Sequence, residues 1–123
     1  MAYRVYFGGK KRIYNYAESN FQKQVVRYLK LNNIFCFSVP NGTKLKASQA
    51  RIAKAEGMTA GVSDLIVLLP QGKAVFIELK NPNGKGVQSD NQKEFERVAG
   101  NLGFEYHIWD NWDEVESFVK RVK

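Results

Sequence analysis

The chain is poor in the residues that define secreted disulfide-rich proteins and membrane proteins. Its 123 residues include a single cysteine, Cys36, which excludes an internal disulfide and favours a reducing compartment. No apolar run approaches the length of a membrane-spanning helix, and the first residues lack the apolar core of a signal peptide. We therefore expect a cytoplasmic protein with no membrane partner.

Acidic residues are scarce in the first half of the chain. Residues 1–55 contain eleven Lys and Arg and one acid, Glu18, whereas residues 56–123 contain eight Lys and Arg and eleven acids. A basic half on a folded domain is typical of a protein that binds a polyanion, because phosphate contacts release counterions. A generic basic surface that serves only solubility is the other interpretation.

The chain also lacks repeats, low-complexity tracts and long linkers, which predicts one domain over residues 1–123. Two aromatic runs around Gly8-Gly9 predict an N-terminal hairpin over residues 1–17. Helical periodicity, short apolar runs and turn residues then predict the order α-β-α-β-β-α-β-α, with a core at 18–109 and a C-terminal helix at 110–123. The predicted helices cover 18–32, 44–56, 89–102 and, capped by Asp110, the C-terminal segment. The predicted strands cover 34–39, 64–69, 74–80 and 104–109. This order favours an α/β sandwich on a mixed sheet.

Three charged residues occupy otherwise apolar strands. Glu78 and Lys80 are two positions apart, so they point to the same face of their strand. Asp64 begins the neighbouring predicted strand and shares their parity. An odd number of residues in the connecting turn brings the three side chains together, whereas an even number puts Asp64 on the opposite face.

Two carboxylates and an ammonium on one face suit phosphodiester hydrolysis. Carboxylates are ligands for Mg²⁺ or Mn²⁺, which polarises a phosphate and activates a bound water. Lys80 is then placed to orient that water or to offset charge in the transition state. A buried structural ion pair with a third charge nearby explains the same residues equally well. Nothing in the sequence predicts a nucleotide cofactor.

The wider context of these residues resembles the PD-(D/E)XK nuclease superfamily, and within it the VRR-NUC branch. Asp64 is followed, after thirteen residues, by Glu78-Leu79-Lys80. The other segments that carry the resemblance are Val39-Pro40-Asn41-Gly42, Ala50-Arg51, Gly57, Gly61-Val62-Ser63-Asp64-Leu65, Ile77-Glu78-Leu79-Lys80 and Ser89-Asp90-Asn91-Gln92-Lys93. The family usually has Pro before the metal-binding Asp, and this chain has Ser63 there.

The resemblance implies an αβββαβ core, a divalent metal and DNA hydrolysis that leaves a 5′-phosphate. It implies metal ligands at Asp64, Glu78, the carbonyl of Leu79 and Glu18, and a catalytic role for Lys80. Stand-alone members of this branch occur in bacteria and phages, which implies the cytoplasm of a bacterial cell or of a phage-infected host.

Two of the implied site residues also have structural explanations. Glu18 begins a predicted helix, where the macrodipole favours an acid whether or not it reaches a metal. Gln92, which matches a helical Gln near the family's active site, has capping-box spacing from Ser89 and one side chain can serve both roles. The only histidine, His107, is expected to be a structural strand residue.

The predicted DNA-contact surface surrounds the second helix. Four cations flank and line that helix with no acid among them, and an adjoining loop residue completes the set: Lys44, Lys46, Arg51, Lys54 and Asn41. The function predicted is a structure-selective endonuclease for branched DNA such as four-way junctions, working as a homodimer because paired nicks need two sites. A non-catalytic nucleic-acid-binding module of the same fold is the alternative.

Overall fold

A two-stranded hairpin precedes a four-stranded sheet and four helices in the computed structural model, which describes residues 2–7, 10–15, 17–40, 45–82 and 86–123. The elements are β1 (Ala2–Phe7), β2 (Lys10–Asn15), α1 (Ala17–Leu31), β3 (Phe35–Ser38), α2 (Ala47–Ala55), β4 (Leu65–Leu69), β5 (Lys73–Leu79), α3 (Asp90–Asn101), β6 (Glu105–Trp109) and α4 (Trp112–Val122). The predicted order of elements is confirmed, and so is the mixed α/β fold. No helix within these ranges is long and apolar enough to cross a membrane.

The N-terminal hairpin forms a sheet of its own. β1 and β2 are antiparallel, with Tyr3 opposite Tyr14 and Phe7 opposite Lys10. Among the described strands, neither pairs with the four-stranded sheet. The hairpin prediction is confirmed at the level of the backbone, while the Gly8-Gly9 turn on which it rested lies outside the described residues.

The larger sheet has the order β3-β4-β5-β6, antiparallel except for the parallel β5–β6 pair. Alternate residues of its strands face one side, as the two-residue period of a strand requires. Leu65, Val67, Val75 and Ile77 are fully or almost fully buried there. They pack with apolar residues of α1 and α4 in the main core, which includes Phe21, Val25, Leu29, Trp109, Val115, Phe118 and Val119.

Helix α3 covers part of the opposite face. Phe76 alternates with the core residues of β5, and its ring lies edge-on to Phe95 of α3 at 5.2 Å between centroids. Phe95 also contacts the ring of Tyr106 on β6. With α1 and α4 on one side and α3 on the other, the sheet is the middle layer of the predicted sandwich.

The helix ends follow the predicted capping residues with two differences. Ser89 accepts a hydrogen bond from the Gln92 amide, as the capping-box spacing predicted. Helix α2 begins at Ala47 rather than near residue 44, because the Gln49 side chain accepts from the Lys46 amide and caps the chain there.

The prediction that Asp110 caps the last helix is wrong. The N-cap is Asn111, which has an extended backbone and accepts a hydrogen bond from the Glu114 amide at 3.1 Å. The Asp110 carboxylate instead accepts from the Asn111 side chain. The helix therefore begins one residue later than the sequence pattern indicated.

Candidate active site

The β4–β5 hairpin sets the relative positions of the acidic residues. Leu65 lies opposite Ile77 and Leu69 opposite Lys73, which leaves three residues in the turn. This odd number confirms the parity on which the predicted site depends. Asp64, directly before β4, therefore lies on the same face as Glu78, away from the main core.

Asp64 is held by neighbouring strands on both sides. Its Oδ2 accepts a hydrogen bond of 2.7 Å from the amide of Leu79 on β5, and its backbone carbonyl accepts from Val39, next to β3. Ser63 is fully buried and its hydroxyl donates to the carbonyl of Leu65 at 3.1 Å. The buried hydroxyl of Ser63 therefore has a hydrogen-bond partner, and the Asp64 carboxylate stands directly before β4.

Glu78 is fully buried, and its two oxygens have different surroundings. Oε1 accepts a hydrogen bond of 3.0 Å from the hydroxyl of Tyr106 on β6. Oε2 accepts no hydrogen bond from the described residues, and it lies 3.4 Å from the ammonium of Lys80. A buried carboxylate oxygen without a donor is costly, and a bound cation would remove that cost.

Lys80 is positioned by the beginning of α3. Its ammonium donates to the side-chain carbonyl of Gln92 at 3.1 Å and to the backbone carbonyl of Val87 at 3.3 Å. The same Gln92 oxygen accepts from the Ser89 amide at 2.8 Å. Gln92 therefore caps α3 and contacts Lys80, while its role in an active site stays a prediction.

Glu18 joins this group from the first turn of α1. Its pKa is raised, first by desolvation and then by the negative charge of Asp64, while the Lys80 charge opposes the shift. The structure therefore brings Glu18, Asp64, Glu78 and Lys80 into one electrostatic group, which we name the carboxylate cluster. The roles of Glu18 and of the Leu79 carbonyl as metal ligands stay predictions.

Burial dominates the electrostatics of the cluster. It raises the pKa of Asp64 against the lowering effects of the Leu79 amide and the Lys80 charge. It also raises the pKa of Glu78 against the Tyr106 hydrogen bond and Lys80. Three desolvated carboxylates facing one ammonium leave an excess of negative charge, which suits a divalent cation.

The donor set fits a metal that completes its coordination with other ligands. In the described parts of the chain, no group of three His, Cys, Asp or Glu side chains is arranged to hold a metal ion alone. Mg²⁺, however, is usually bound by one or two carboxylates together with waters and substrate phosphates. Oε2 of Glu78, which accepts no hydrogen bond from the described residues, and the carboxylate of Asp64 fit that arrangement.

The predicted DNA-contact residues are exposed where the structure describes them. Lys46, Arg51 and Lys54 are on or directly before α2, which contributes no buried residue. Asn41 and Lys44 lie outside the described residues. The contact surface therefore stays a prediction, although its described cations are available to solvent.

Two contacts of the cluster were missed by the sequence analysis. The Tyr106 hydroxyl and the Val87 carbonyl both bind cluster residues, and Tyr106 reaches Glu78 only because β6 pairs in parallel with β5. His107 takes no part in the cluster: it contacts Glu105, and its ring packs against Trp109 and Phe118. It is a structural strand residue, as expected.

Comparisons with known proteins agree with this geometry. The family model of the VRR-NUC domain matches residues 15–109. One solved structure, described as a VRR_NUC domain, shares 17% identity and a TM-score of 0.64 over 87% of this chain and 98% of its own. Another, described as a VRR_NUC domain protein, shares 22% identity and a TM-score of 0.68 over 89% of each chain.

These structural likenesses support the fold, because their sequence identities are low. No curated protein matches the chain in sequence. The family model spans the first helix, the carboxylate cluster and all four strands of the larger sheet. The chain therefore belongs to the VRR-NUC family, a family of the nuclease type.

Proposed function

We propose that the protein is a divalent-metal-dependent DNA endonuclease whose active site is the carboxylate cluster. The observation that carries the proposal is the buried carboxylate of Glu78, one oxygen of which lies beside Lys80 without a hydrogen-bond donor. A purely structural ion pair would be expected to satisfy both oxygens within the protein. A buried oxygen that is ion-paired with Lys80 and accepts no hydrogen bond from the described residues is better explained by a ligand.

The residues of the cluster have distinct roles in this proposal. Asp64 and Glu78 hold a Mg²⁺ or Mn²⁺ ion, with the Leu79 carbonyl and Glu18 as further ligands. The bound ion supplies polarisation of the phosphate and a lower pKa for the attacking water. Lys80, oriented by Gln92, donates a hydrogen bond to that water or to the phosphate. Hydrolysis breaks the bond between phosphorus and the 3′ oxygen and leaves a 5′-phosphate.

Plasmid cleavage with two isosteric variants tests the proposal. Asp64→Asn and Glu78→Gln should abolish metal-dependent nicking and leave DNA binding largely intact, because each removes a ligand charge and keeps the side-chain shape. Asp113→Asn, an exposed acid on α4, is the control for the loss of one negative charge. Cleavage near the unmodified rate by either cluster variant would refute the assignment. Intact DNA binding without any cleavage by the unmodified protein would indicate a non-catalytic module.

We further propose that the substrate is branched DNA and that the working unit is a homodimer. One small domain carries one cluster and makes one nick, whereas resolution of a four-way junction needs two nicks related by two-fold symmetry. The separate β1–β2 sheet supports this proposal, because its free strand edges offer a surface for pairing with a second copy.

Light scattering and a cruciform plasmid test the dimer together. A dimer should linearise the plasmid through paired cuts in one binding event. A monomeric mass at micromolar concentration, with single nicks accumulating, would refute both the dimer and the junction-resolving role. The carboxylate cluster would then still account for nicking.

The proposed duplex contact is the exposed basic surface of α2. Charge reversal at Lys46 and Arg51 should weaken DNA binding and lower its salt slope by about 0.9 for each phosphate that is no longer neutralised. Lys120→Glu on α4 is the control for a changed net charge. An unchanged salt slope in the α2 variant would contradict this surface.

A further inference from the structure

We infer that a groove between α1 and the edge strand β3 binds an unpaired DNA strand next to the active site, an inference that rests on the proposed nuclease function. The groove has a volume of about 1160 Å³, with α1 as one wall and Cys36–Ser38 of β3 as the other. This exceeds the roughly 300–1,000 Å³ of a typical small-ligand pocket and suits a chain-like ligand. We name it the α1–β3 groove.

Three cations line the α1–β3 groove. Lys23, Arg27 and Lys30 are exposed and follow each other at helical spacing, so they form one stripe along α1. At 1.5 Å per residue the stripe spans about 10 Å, long enough to contact successive phosphates of one DNA strand. No ion pair within the described residues involves any of the three. Their charges are therefore available to phosphates.

Phe37 adds an aromatic residue to the β3 wall of the groove, at the edge of the sheet. It lines the groove and keeps 43% of its surface exposed, although it lies within a strand. Its ring contacts Phe35 edge-on, at 6.2 Å between centroids. Cations along a groove with an exposed ring are typical of single-strand binding, because unpaired bases stack on aromatics. The bases of a duplex already stack on one another, so a duplex gains little from Phe37.

The groove is continuous with the carboxylate cluster. Glu18 is the only acid among its described lining residues, and Ser38, on the other wall, pairs with Leu65, which directly follows Asp64. A strand bound along Lys30, Arg27 and Lys23 would thus lead toward Glu18 and the metal ligands. The α2 surface is separate from these residues and is left for the duplex arm. The arrangement predicts a substrate that joins a single strand to a duplex.

A binding experiment without metal tests the aromatic contact. In EDTA, where cleavage cannot occur, Phe37→Ala should weaken binding of fluorescein-labelled oligo(dT) of about 20 nucleotides by about 5- to 150-fold, the range expected when one base no longer stacks on a ring. Duplex affinity should stay within about twofold. Phe104→Ala is the matched control, because Phe104 has a similar exposure of 41% and lies next to β6, at the opposite edge of the sheet from β3. Thermal unfolding of both variants confirms that they are folded.

A second pair of variants tests the cations. Lys23→Ala with Arg27→Ala should lower the salt slope of oligo(dT) binding by about 1.4, because two fewer phosphates of the single strand are neutralised. Lys73→Ala with Lys120→Ala removes the same net charge away from the groove and should leave the slope nearly unchanged. Phe37→Ala should lower affinity at every salt concentration without changing the slope, because stacking releases no counterions.

The outcomes separate this inference from the proposed function. Unchanged oligo(dT) binding in both groove variants, with metal-dependent plasmid cleavage intact, would overturn the groove and leave the nuclease. An equal loss in the groove and control variants would also overturn it, since net charge alone would then explain binding. Selective loss in the groove variants supports the inference whether or not the protein cleaves DNA.

Discussion

Gly61 provides a test of how closely the beginning of α3 approaches the loop before β4. Gly61 has a positive φ of 84°, and a Cβ atom there would lie 2.3 Å from the carbonyl carbon and oxygen of Asn91 and 2.7 Å from the Gln92 amide nitrogen. These are backbone atoms, which cannot rotate away. Gly61→Ala must therefore displace the first turn of α3.

The size of the effect can be worked out with Gly57 as a matched control. Gly57 also has a positive φ, 107°, but a Cβ there meets nothing within 4 Å. Both substitutions place an L side chain in the left-handed region, at a cost of about 1–2 kcal/mol. Gly61→Ala adds overpacking, typically about 1–3 kcal/mol more. We expect a loss of roughly 2–5 kcal/mol for Gly61→Ala and about 1–2 kcal/mol for Gly57→Ala.

The same displacement should reach the active site. Moving the Asn91 backbone to an ordinary contact distance requires a shift of about 1 Å, and Gln92 moves with it. The 3.1 Å hydrogen bond between Gln92 and Lys80 then lengthens, and turnover should fall by about ten- to a hundredfold. Gly57→Ala should leave turnover unchanged.

Urea unfolding and single-turnover cleavage, performed at a temperature where both variants are folded, measure the two effects separately. Equal losses of stability in the two variants would show that the close approach at Gly61 is absent. A destabilised Gly61→Ala that cleaves at the unmodified rate would instead refute the dependence of Lys80 on the position of α3.

Three further predictions concern the cluster itself. Tyr106→Phe removes a hydrogen bond that lowers the pKa of Glu78. The metal concentration for half-maximal cleavage should therefore rise about tenfold. The control, Tyr28→Phe, should leave that concentration unchanged. Lys80→Ala should lower the turnover of bound DNA about a hundredfold, and an effect on affinity alone would reduce Lys80 to a phosphate contact. Without metal, the raised pKa values of Asp64 and Glu78 mean that the folded protein favours the protonated carboxyl groups. Their contribution to the free energy of unfolding is largest below the ordinary pKa values of 3.8 and 4.5, and it is lost as the pH rises through the raised pKa values of the folded state. Because Mg²⁺ binds the deprotonated carboxylates, it should raise Tm more near pH 8 than near pH 5, and the opposite order would contradict the site.

Local patterns in the sequence were sufficient to predict the order of elements, whereas the place of Glu18 in the site was implied by the family resemblance. Glu78 and Lys80 could be placed on one face because strand periodicity is local. Asp64 could be placed only conditionally, because the number of turn residues cannot be read from apolar periodicity. The register supplies that number.

The remaining contacts depend on pairing between distant segments. Tyr106 reaches Glu78 because β6 adds to the sheet in parallel with β5, and no local pattern in residues 104–109 predicts that neighbour. The close approach of Gly61 to α3 likewise joins segments thirty residues apart along the chain. The cap at Asn111 in place of Asp110 shows a different limit, since two adjacent residues were both good caps and only the backbone geometry selects one.

The three-residue turn between β4 and β5 tolerates changes of length better than the strands on either side of it. The turn is exposed and lies at the far end of the strands from the acids, so a residue inserted there lengthens the loop and leaves Leu65 opposite Ile77. A residue inserted within β4 must instead be absorbed as a bulge, or it moves Asp64 to the core face of the sheet. Natural length variation between Asp64 and Glu78 should therefore be confined to the turn.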